Sequence, residues 1–164
     1  MSKKIPFFIG PCVLESEDFS LKTAERLKND LEKYENEIDF YFKGSFDKAN
    51  RTSIDAFRGP GLEEGLKIFE KIKKQLGLKT ITDFHTADQA NAVAEVVDVL
   101  QVPAFLCRQT DMILAGAQAC KKFGRILKVK KGQFLSPTEA QNIVEKASSE
   151  LPKEQIYLTE RGSS

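Results

Sequence analysis

Residues 62–85 read LEEGLKIFEKIKKQLGLKTITDFH and predict one complete helix–strand unit. Apolar residues recur three and four positions apart in the first part, as on the buried face of an α-helix: Leu62, Leu66, Phe69, Ile72 and Leu76. Gly77 then ends the helix, because glycine readily adopts the left-handed conformation found just after helices. Residues 80–82 form a short strand, and Asp83 and His85 follow it directly. The unit therefore places polar side chains at the carboxyl end of a strand.

The same alternation extends over the chain. Short β-branched or aromatic runs predict strands at residues 7–9, 40–42, 80–82, 97–100, 126–129 and 156–158. Helical periodicity predicts five helices: residues 18–34, the helix from Leu62, one from Thr86, one capped by Thr110 that ends near Gly124, and one from Ser136. Thr86 with Gln89, and Ser136 with Glu139, have the spacing of capping boxes.

Strict alternation, with strands too apolar to face water, predicts an α/β fold in which helices cover a parallel sheet. Six strands and five helices fit a doubly wound sheet. They also fit three quarters of a (β/α)₈ barrel, which normally takes about 250 residues. Periodicity alone leaves both architectures open.

The composition excludes several classes of protein. The 164 residues are 41% hydrophobic and 30% charged with a net charge of +1, which is typical of one globular domain and gives no case for a nucleic-acid or membrane-surface binder. The longest apolar runs are too short for a transmembrane helix or a signal-peptide core. Cys12, Cys107 and Cys120 provide neither a disulfide framework nor a CxxC pair, which favours a reducing cytoplasm.

A reactive or charged residue follows every predicted strand. In chain order these residues are Cys12, Lys43, Asp83 with His85, Gln101, Lys130 and Arg161. Ligands bind at this edge of parallel α/β folds, although any one such residue alone is more often a solvated charge or, for a cysteine, a packed apolar group. Five cations suit a ligand with several phosphate or carboxylate groups: Lys43, Lys48, Arg51, Lys130 and Arg161. The chain has no Walker A loop and no GxGxxG after a strand, so a nucleotide cofactor is unsupported.

Seven stretches together resemble one family, the 3-deoxy-D-manno-octulosonate 8-phosphate synthases (KDO8P synthases). They are IGPCVLES at 9–16, FKGSFDKANRTS at 42–53, FRGPGLEEG at 57–65, TDFH at 82–85, VVDVLQVPAFLCRQTD at 96–111, VKKGQFL at 129–135 and LTERG at 158–162. The resemblance runs nearly end to end. It implies a (β/α)₈ TIM-type barrel, of which residues 1–164, as a single domain, would supply about strands 1–6 and helices 1–5.

The resemblance also implies a reaction, the condensation of phosphoenolpyruvate (PEP) with D-arabinose 5-phosphate and water to give KDO8P and phosphate. This is a carbon–carbon bond-forming transferase reaction of lipopolysaccharide biosynthesis. Two alternatives remain: a related synthase that uses erythrose 4-phosphate, and a non-catalytic barrel fragment that only binds anions. The KANR stretch at 48–51 is similar to the arabinose-phosphate type, since erythrose-phosphate enzymes tend to carry a proline before the arginine.

Site residues follow from the resemblance position by position. For PEP they are Lys43, Ser45, Lys48, Gln101, Ala104, Phe105, Lys130 and Arg161. For arabinose 5-phosphate they are Asn50, Arg51, Thr52 and Arg108. Catalytic roles fall to Lys48, Asp83 and His85. Arg108 matches an arginine that reaches a neighbouring subunit's substrate, which implies a homo-oligomer, expected to be a tetramer.

Cys12 matches the cysteine of the metal-dependent branch of the family and is expected to be one ligand of a divalent ion such as Zn, Fe or Mn. The other ligands of the family would come from strands beyond Ser164. The chain is therefore expected to be the N-terminal part of a longer protein and to be inactive alone, with open sheet edges. Lys128 departs from the smaller polar residue of the relatives, and the sequence assigns it no role.

Overall fold

A computed structural model describes residues 4–163, in which strands and helices alternate strictly. The strands are β1 (Ile5–Ile9), β2 (Ile38–Lys43), β3 (Lys79–Asp83), β4 (Val99–Val102), β5 (Ile126–Lys130) and β6 (Ile156–Thr159). The α-helices are α1 (Glu17–Leu31), α2 (Leu62–Leu76), α3 (Gln89–Val96), α4 (Thr110–Phe123) and α5 (Pro137–Ser148). Short 3₁₀ turns cover Glu32–Tyr34, Ala104–Leu106 and Lys153–Gln155. The chain divides into two compact units, the first ending at Thr82 and the second beginning at Asp83.

In the first unit, β1, β2 and β3 are parallel neighbours in chain order. Apolar side chains of the sheet, of α2 and of the connecting segments form its core; Leu14, Phe42, Phe46, Phe69 and Ile72 are fully buried or nearly so. An ion pair also links α1 and α2: the Lys71 ammonium of α2 lies 2.5 Å from the Glu17 carboxylate of α1. This packing holds the carboxyl ends of β1 and β2 side by side.

In the second unit, β4, β5 and β6 are parallel neighbours in chain order. The end of β3 lies beside β4, because the Phe84 N–H donates to the Gln101 carbonyl over 3.1 Å. Helix α4 packs closely on the strands, and a Cβ at Gly116 would lie only 2.8 Å from Leu127 and 2.9 Å from Phe84. A side chain at Gly116 would therefore push α4 away from β5.

The order of the strands separates the two architectures that the sequence left open. In a doubly wound sheet the fourth strand returns to lie beside the first. Here Asp83 and Phe84, at and just after the end of β3, bond to Gln101 of β4 within the second unit, and within each unit every strand pairs with the next one in the chain. The prediction of an α/β fold made of consecutive βα units of a (β/α)₈ barrel is confirmed. Over residues 4–163 none of the helices has the length and hydropathy needed to cross a membrane.

Three of the predicted helix ends are confirmed. Gly77 and Gly124 follow α2 and α4 with φ of +68° and +65°, values that glycine adopts without steric cost. Ser136 and Glu139 form the complete capping box of α5, with Pro137 in its first turn. The pKa of Glu139 is lowered below its usual value, mainly by the hydrogen bond from the Ser136 backbone N–H and next by that from the Ser136 hydroxyl. Hydrogen bonds to the charged carboxylate stabilise it.

Two predicted caps are wrong, and one strand is displaced. Helix α3 begins at Gln89, not at Thr86, because the Gln89 side chain accepts the His85 N–H over 2.9 Å and does not return to Thr86. Thr110 is the first residue of α4 rather than its cap, and its hydroxyl accepts from Lys146 over 2.8 Å. Strand β4 spans Val99–Val102, two residues later than predicted, because Val97 still donates to the carbonyl of Val93 at the end of α3.

Candidate functional site

Polar side chains gather at the carboxyl ends of the strands in both units. We call Lys43, Ser45 and Lys48 of the first unit the first cluster. We call Asp83, Gln101, Lys128 and Lys130 of the second unit the second cluster.

The second cluster is a continuous chain of polar contacts centred on Gln101, whose side chain is 0% exposed. Its amide Nε2 donates to Asp83 Oδ1 over 2.5 Å, and its Oε1 accepts from Lys128 Nζ over 2.8 Å. Lys130 Nζ lies 3.7 Å from the same Asp83 oxygen. Gln101 and Lys128 are opposite each other in the β4–β5 pairing, and Lys130 is two residues further on, so all three share one face of the sheet.

The charges of the second cluster leave it electropositive, since two ammonium groups face one carboxylate. The Gln101 amide is oriented with its N–H₂ toward the carboxylate and its oxygen toward Lys128, which is the favourable alignment of its dipole. Asp83 is buried, whereas the Lys130 side chain is about 25% exposed and remains accessible to a ligand. The arrangement can hold an anion at Lys130 without first reorganising its buried partners.

Lys128, which the sequence left without a role, is thus a donor that fixes the orientation of Gln101. A buried glutamine amide can otherwise turn over, exchanging its donor and acceptor ends. With Lys128 on Oε1, the Nε2 end is directed to Asp83. The structure makes Lys128 part of the same polar chain as three residues that the sequence did single out.

The first cluster is built on main-chain contacts at the ends of β1 and β2. The Gly44 N–H donates to the Ile81 carbonyl over 3.3 Å, and the Leu14 N–H donates to the Ser45 carbonyl over 3.0 Å. Ser45 is buried, and its hydroxyl accepts from Lys48 Nζ over 3.4 Å. A Cβ at Gly10 would lie 1.9 Å from the Lys43 carbonyl oxygen, so only glycine allows β1 to end this close to Lys43.

An ion pair that the sequence analysis missed closes the loop after the first cluster. Arg58 Nε and Nη2 donate to the two Asp47 oxygens over 2.8 Å and 2.5 Å, a bidentate pair that also raises the pKa of Arg58. The Lys48 N–H donates to the Arg58 carbonyl over 2.6 Å. Both contacts hold the two ends of the loop together, while residues 49–55, which include Asn50, Arg51 and Thr52, are exposed.

Cys12 is exposed and is the one residue other than glycine with a positive φ, +68°, among residues 4–163. A hydrogen bond of 2.8 Å from the Val13 N–H to the Pro11 carbonyl spans it, as in a γ-turn. Cys107 and Cys120 are buried as expected, and desolvation raises the pKa of Cys120 to about 12. Of the three thiols, only that of Cys12 is presented to solvent.

The described residues do not by themselves complete a metal site. Within residues 4–163 there is no group of three or more His, Cys, Asp and Glu side chains close enough together to hold an ion. Cys12 thus belongs to no such group within the described residues.

The remaining predicted residues lie at or next to strand ends. His85 is half-buried two residues after Asp83. Ala104 and Phe105 form the 3₁₀ turn after β4, with Phe105 69% exposed, and Arg108 is exposed just before α4.

Arg161 is exposed in the segment after β6. The backbone around it is held by Lys131 and Glu160, which sequence reasoning also missed. In the sequence, Lys131 is distinguished only by its position next to Lys130.

Consecutive parallel βα units with polar side chains at the strand ends define an α/β protein of the barrel class. The sequence profile of the DAHP synthetase I family matches residues 2–164, and the chain belongs to that family.

Curated relatives share one name, 2-dehydro-3-deoxyphosphooctonate aldolase. The protein of Campylobacter jejuni subsp. jejuni serotype O:23/36 is 51% identical over 99% of this chain and 61% of its own length. That of Cyanothece sp. is 54% identical over 94% of this chain and 54% of its own length. That of Protochlamydia amoebophila is 51% identical over 94% of this chain and 54% of its own length. The chain thus spans a little over half the length of the curated relatives it matches.

Proposed function

We propose that this chain supplies the PEP-binding part of an enzyme that condenses PEP with D-arabinose 5-phosphate and water to give KDO8P and phosphate. Its curated relatives are named for the same compound, since 2-dehydro-3-deoxyphosphooctonate is another name for KDO8P. The single observation that carries the proposal is the second cluster. Its buried Asp83–Gln101 pair with two lysines is an electropositive site for a small, multiply charged anion.

PEP carries a carboxylate and a phosphate, so it requires cations at two points. We assign the carboxylate to Lys43, Ser45 and Lys48 in the first unit and to Gln101 in the second. Lys130 and Arg161, with the backbone of Ala104 and Phe105, are assigned to the phosphate. Charge-assisted contacts of this kind contribute about 1.5–3 kcal/mol each, enough to make PEP binding depend on every one of them.

The reaction joins C3 of PEP to the aldehyde carbon of the sugar while water adds to C2, and the bond from C2 to the phosphate oxygen then breaks to release phosphate. A negative charge develops on the aldehyde oxygen, and Lys48 is the cation proposed to stabilise or protonate it. Asp83 and His85 are proposed to act beside the reacting aldehyde. Fixing both substrates in one orientation is the largest expected contribution, worth up to about 7–11 kcal/mol in an ideal case.

The sugar phosphate is assigned to Asn50, Arg51 and Thr52, and to Arg108 acting in a neighbouring subunit of a homotetramer. All four residues are exposed, as residues that meet a second substrate or a second subunit must be. Because PEP and sugar phosphates are charged metabolites that do not cross membranes freely, the proposed place of action is the cytoplasm.

A divalent ion is proposed to assist, with the Cys12 thiolate as one ligand and the others outside residues 4–163. Such an ion, when bound, orients water or polarises an aldehyde oxygen. Cys12 suits this role because its thiol is exposed at the carboxyl end of β1.

The test is product formation by the full-length protein, with PEP and either arabinose 5-phosphate or erythrose 4-phosphate, before and after metal removal. We expect KDO8P from arabinose 5-phosphate, lower turnover with erythrose 4-phosphate, and loss of activity on chelation. Preferential use of erythrose 4-phosphate would reassign the protein to the related synthases. PEP binding without turnover under any metal would make it a non-catalytic anion-binding protein.

A further inference from the structure

Lys131 is a lysine whose side chain is 0% exposed, and it faces away from the second cluster. Its ammonium donates to three main-chain carbonyls, those of Gly162 over 2.8 Å, Leu135 over 3.0 Å and Gly132 over 3.3 Å. Burying an ammonium is costly unless its donors are satisfied, and here three carbonyls and a nearby carboxylate satisfy them. The contacts join the loop after β5 to the segment after β6.

That nearby carboxylate belongs to Glu160, with Oε1 3.5 Å from Lys131 Nζ. The same oxygen accepts the Gly162 N–H over 2.6 Å and the Arg161 N–H over 2.9 Å. These contacts, the Gly162 N–H foremost, lower the pKa of Glu160 below its usual value, so it is ionised at neutral pH.

Lys131 and Glu160 therefore hold the peptide units on both sides of Arg161. The Lys131 N–H continues the β5–β6 pairing with a bond of 3.0 Å to the Thr159 carbonyl, which fixes the start of the segment. Gly162, at φ +81°, turns its carbonyl onto the Lys131 ammonium and its N–H onto Glu160. Arg161 itself remains exposed, so its backbone is fixed while its guanidinium is accessible.

We infer that Lys131 and Glu160 are positioning residues for Arg161: they fix its backbone so that its guanidinium is held ready for the phosphate of PEP. The inference rests on the proposed binding of PEP by Arg161. The two adjacent lysines then have different roles. Lys130 contacts the ligand as part of the second cluster, and Lys131 fixes the backbone of the other phosphate-binding cation, Arg161. Pre-fixing a cation removes the ordering cost that a free segment would pay on binding.

A double-mutant cycle separates this role from a general contribution to stability. PEP affinity is measured by titration calorimetry on the full-length protein and its variants Lys131→Met, Arg161→Met and the double substitution. We expect Lys131→Met to weaken PEP binding about tenfold in the parent and less than about twofold when Arg161 is already absent. Equal losses in both backgrounds would overturn the inference.

Hydrogen exchange gives a readout that needs no substrate. Amides of residues 159–163 are expected to exchange at least about tenfold faster in Lys131→Met and in Glu160→Ala. Unchanged exchange in both variants would overturn the inference whether or not PEP binds. Failure of the parent protein to bind PEP, with the exchange effect present, would instead count against the proposed function.

A control variant and an alternative variant keep the test interpretable. Lys28→Met is the matched control, because Lys28 also donates to a main-chain carbonyl, that of Leu76 over 2.7 Å, but in the first unit. It should change neither PEP affinity nor exchange at residues 159–163. If Lys131→Met does not fold, Glu160→Ala carries both measurements, since Glu160 is mostly exposed and its removal leaves no buried cavity.

Discussion

The exposed loop at residues 49–55 and the second cluster are both assigned to substrates, yet they are organised in opposite ways. In the loop, the described main-chain bonds are long, such as 3.3 Å from the Arg51 N–H to the Lys48 carbonyl, and Ile54 is 94% exposed. In the second cluster, Gln101 is fully buried and makes contacts of 2.5 Å and 2.8 Å. The fold therefore fixes the side chains of the second cluster, whereas the loop residues are exposed and held by long main-chain bonds.

This contrast indicates where selectivity and affinity reside. A preformed site that the fold itself stabilises suits the proposed binding of PEP. An exposed loop can change without disturbing the core, and it suits the proposed selection of the aldose phosphate.

The largest expected effect is on stability, from Gln101→Leu. The substitution removes the partner of a buried carboxylate and of Lys128, at about 1–3 kcal/mol for each group left without it. Asn50→Ala in the loop should change the unfolding free energy by less than about 0.5 kcal/mol. Chemical denaturation of both variants is the measurement, with Gln118→Leu on the exposed face of α4 as the matched control. Similar losses for Gln101→Leu and Asn50→Ala would remove the distinction between the two regions.

The next effect is on PEP affinity, from Lys130→Met. Loss of one charge-assisted contact of about 1.5–3 kcal/mol should weaken PEP binding tenfold or more. Affinity for arabinose 5-phosphate should change little, because that substrate is assigned to the loop. Titration of the variant with each substrate gives the result, with Lys153→Met as a control at an exposed lysine. Equal weakening of both substrates would show that Lys130 is not specific to PEP.

A smaller effect is expected on aldose choice, from replacing the Ala49-Asn50 link with one that contains proline. Proline fixes its own φ and restricts the preceding residue, so the loop loses conformations that arabinose 5-phosphate requires. We expect a several-fold fall in the use of arabinose 5-phosphate, with PEP affinity retained. Parallel product assays with arabinose 5-phosphate and erythrose 4-phosphate provide the measurement. An unchanged preference would place the selectivity outside this loop.

The sequence predicted the strand ends well because the relevant signals are local. A short apolar run followed by Lys43, Asp83 or Lys130 shows both the strand and its polar end within a few residues, and the structure places them there. The signals for the ends of α2 and α4 are equally local, because each is a single glycine whose left-handed conformation ends the helix.

The missed features all depend on partners that are distant in sequence. Lys131 meets Gly162 from 31 positions away, and Asp47 meets Arg58 from 11 positions away. Lys128 gains its role only because β4 pairs with β5 and places Gln101 opposite it. The wrong cap at Thr86 has a different origin, because the Gln89 side chain accepts from a nearby donor, the His85 N–H, and not from Thr86.

The smallest expected effect concerns the backbone at Cys12, the one position among residues 4–163 where a residue other than glycine has a positive φ. At φ +68°, a residue with a Cβ costs about 1–2 kcal/mol, asparagine is tolerated better, and a β-branched residue is worse. In the presence of a chelator, which removes any contribution of bound metal, Cys12→Asn should match or slightly exceed the parent in unfolding free energy, whereas Cys12→Val should lose about 1 kcal/mol. Without the chelator, the parent should retain more bound metal than Cys12→Ala if the thiolate is a ligand. Equal stability of the Asn and Val variants would show that the turn relaxes and that the strain is not held by the fold. Equal metal content in the parent and the Ala variant would remove Cys12 from the proposed site while leaving the backbone argument intact.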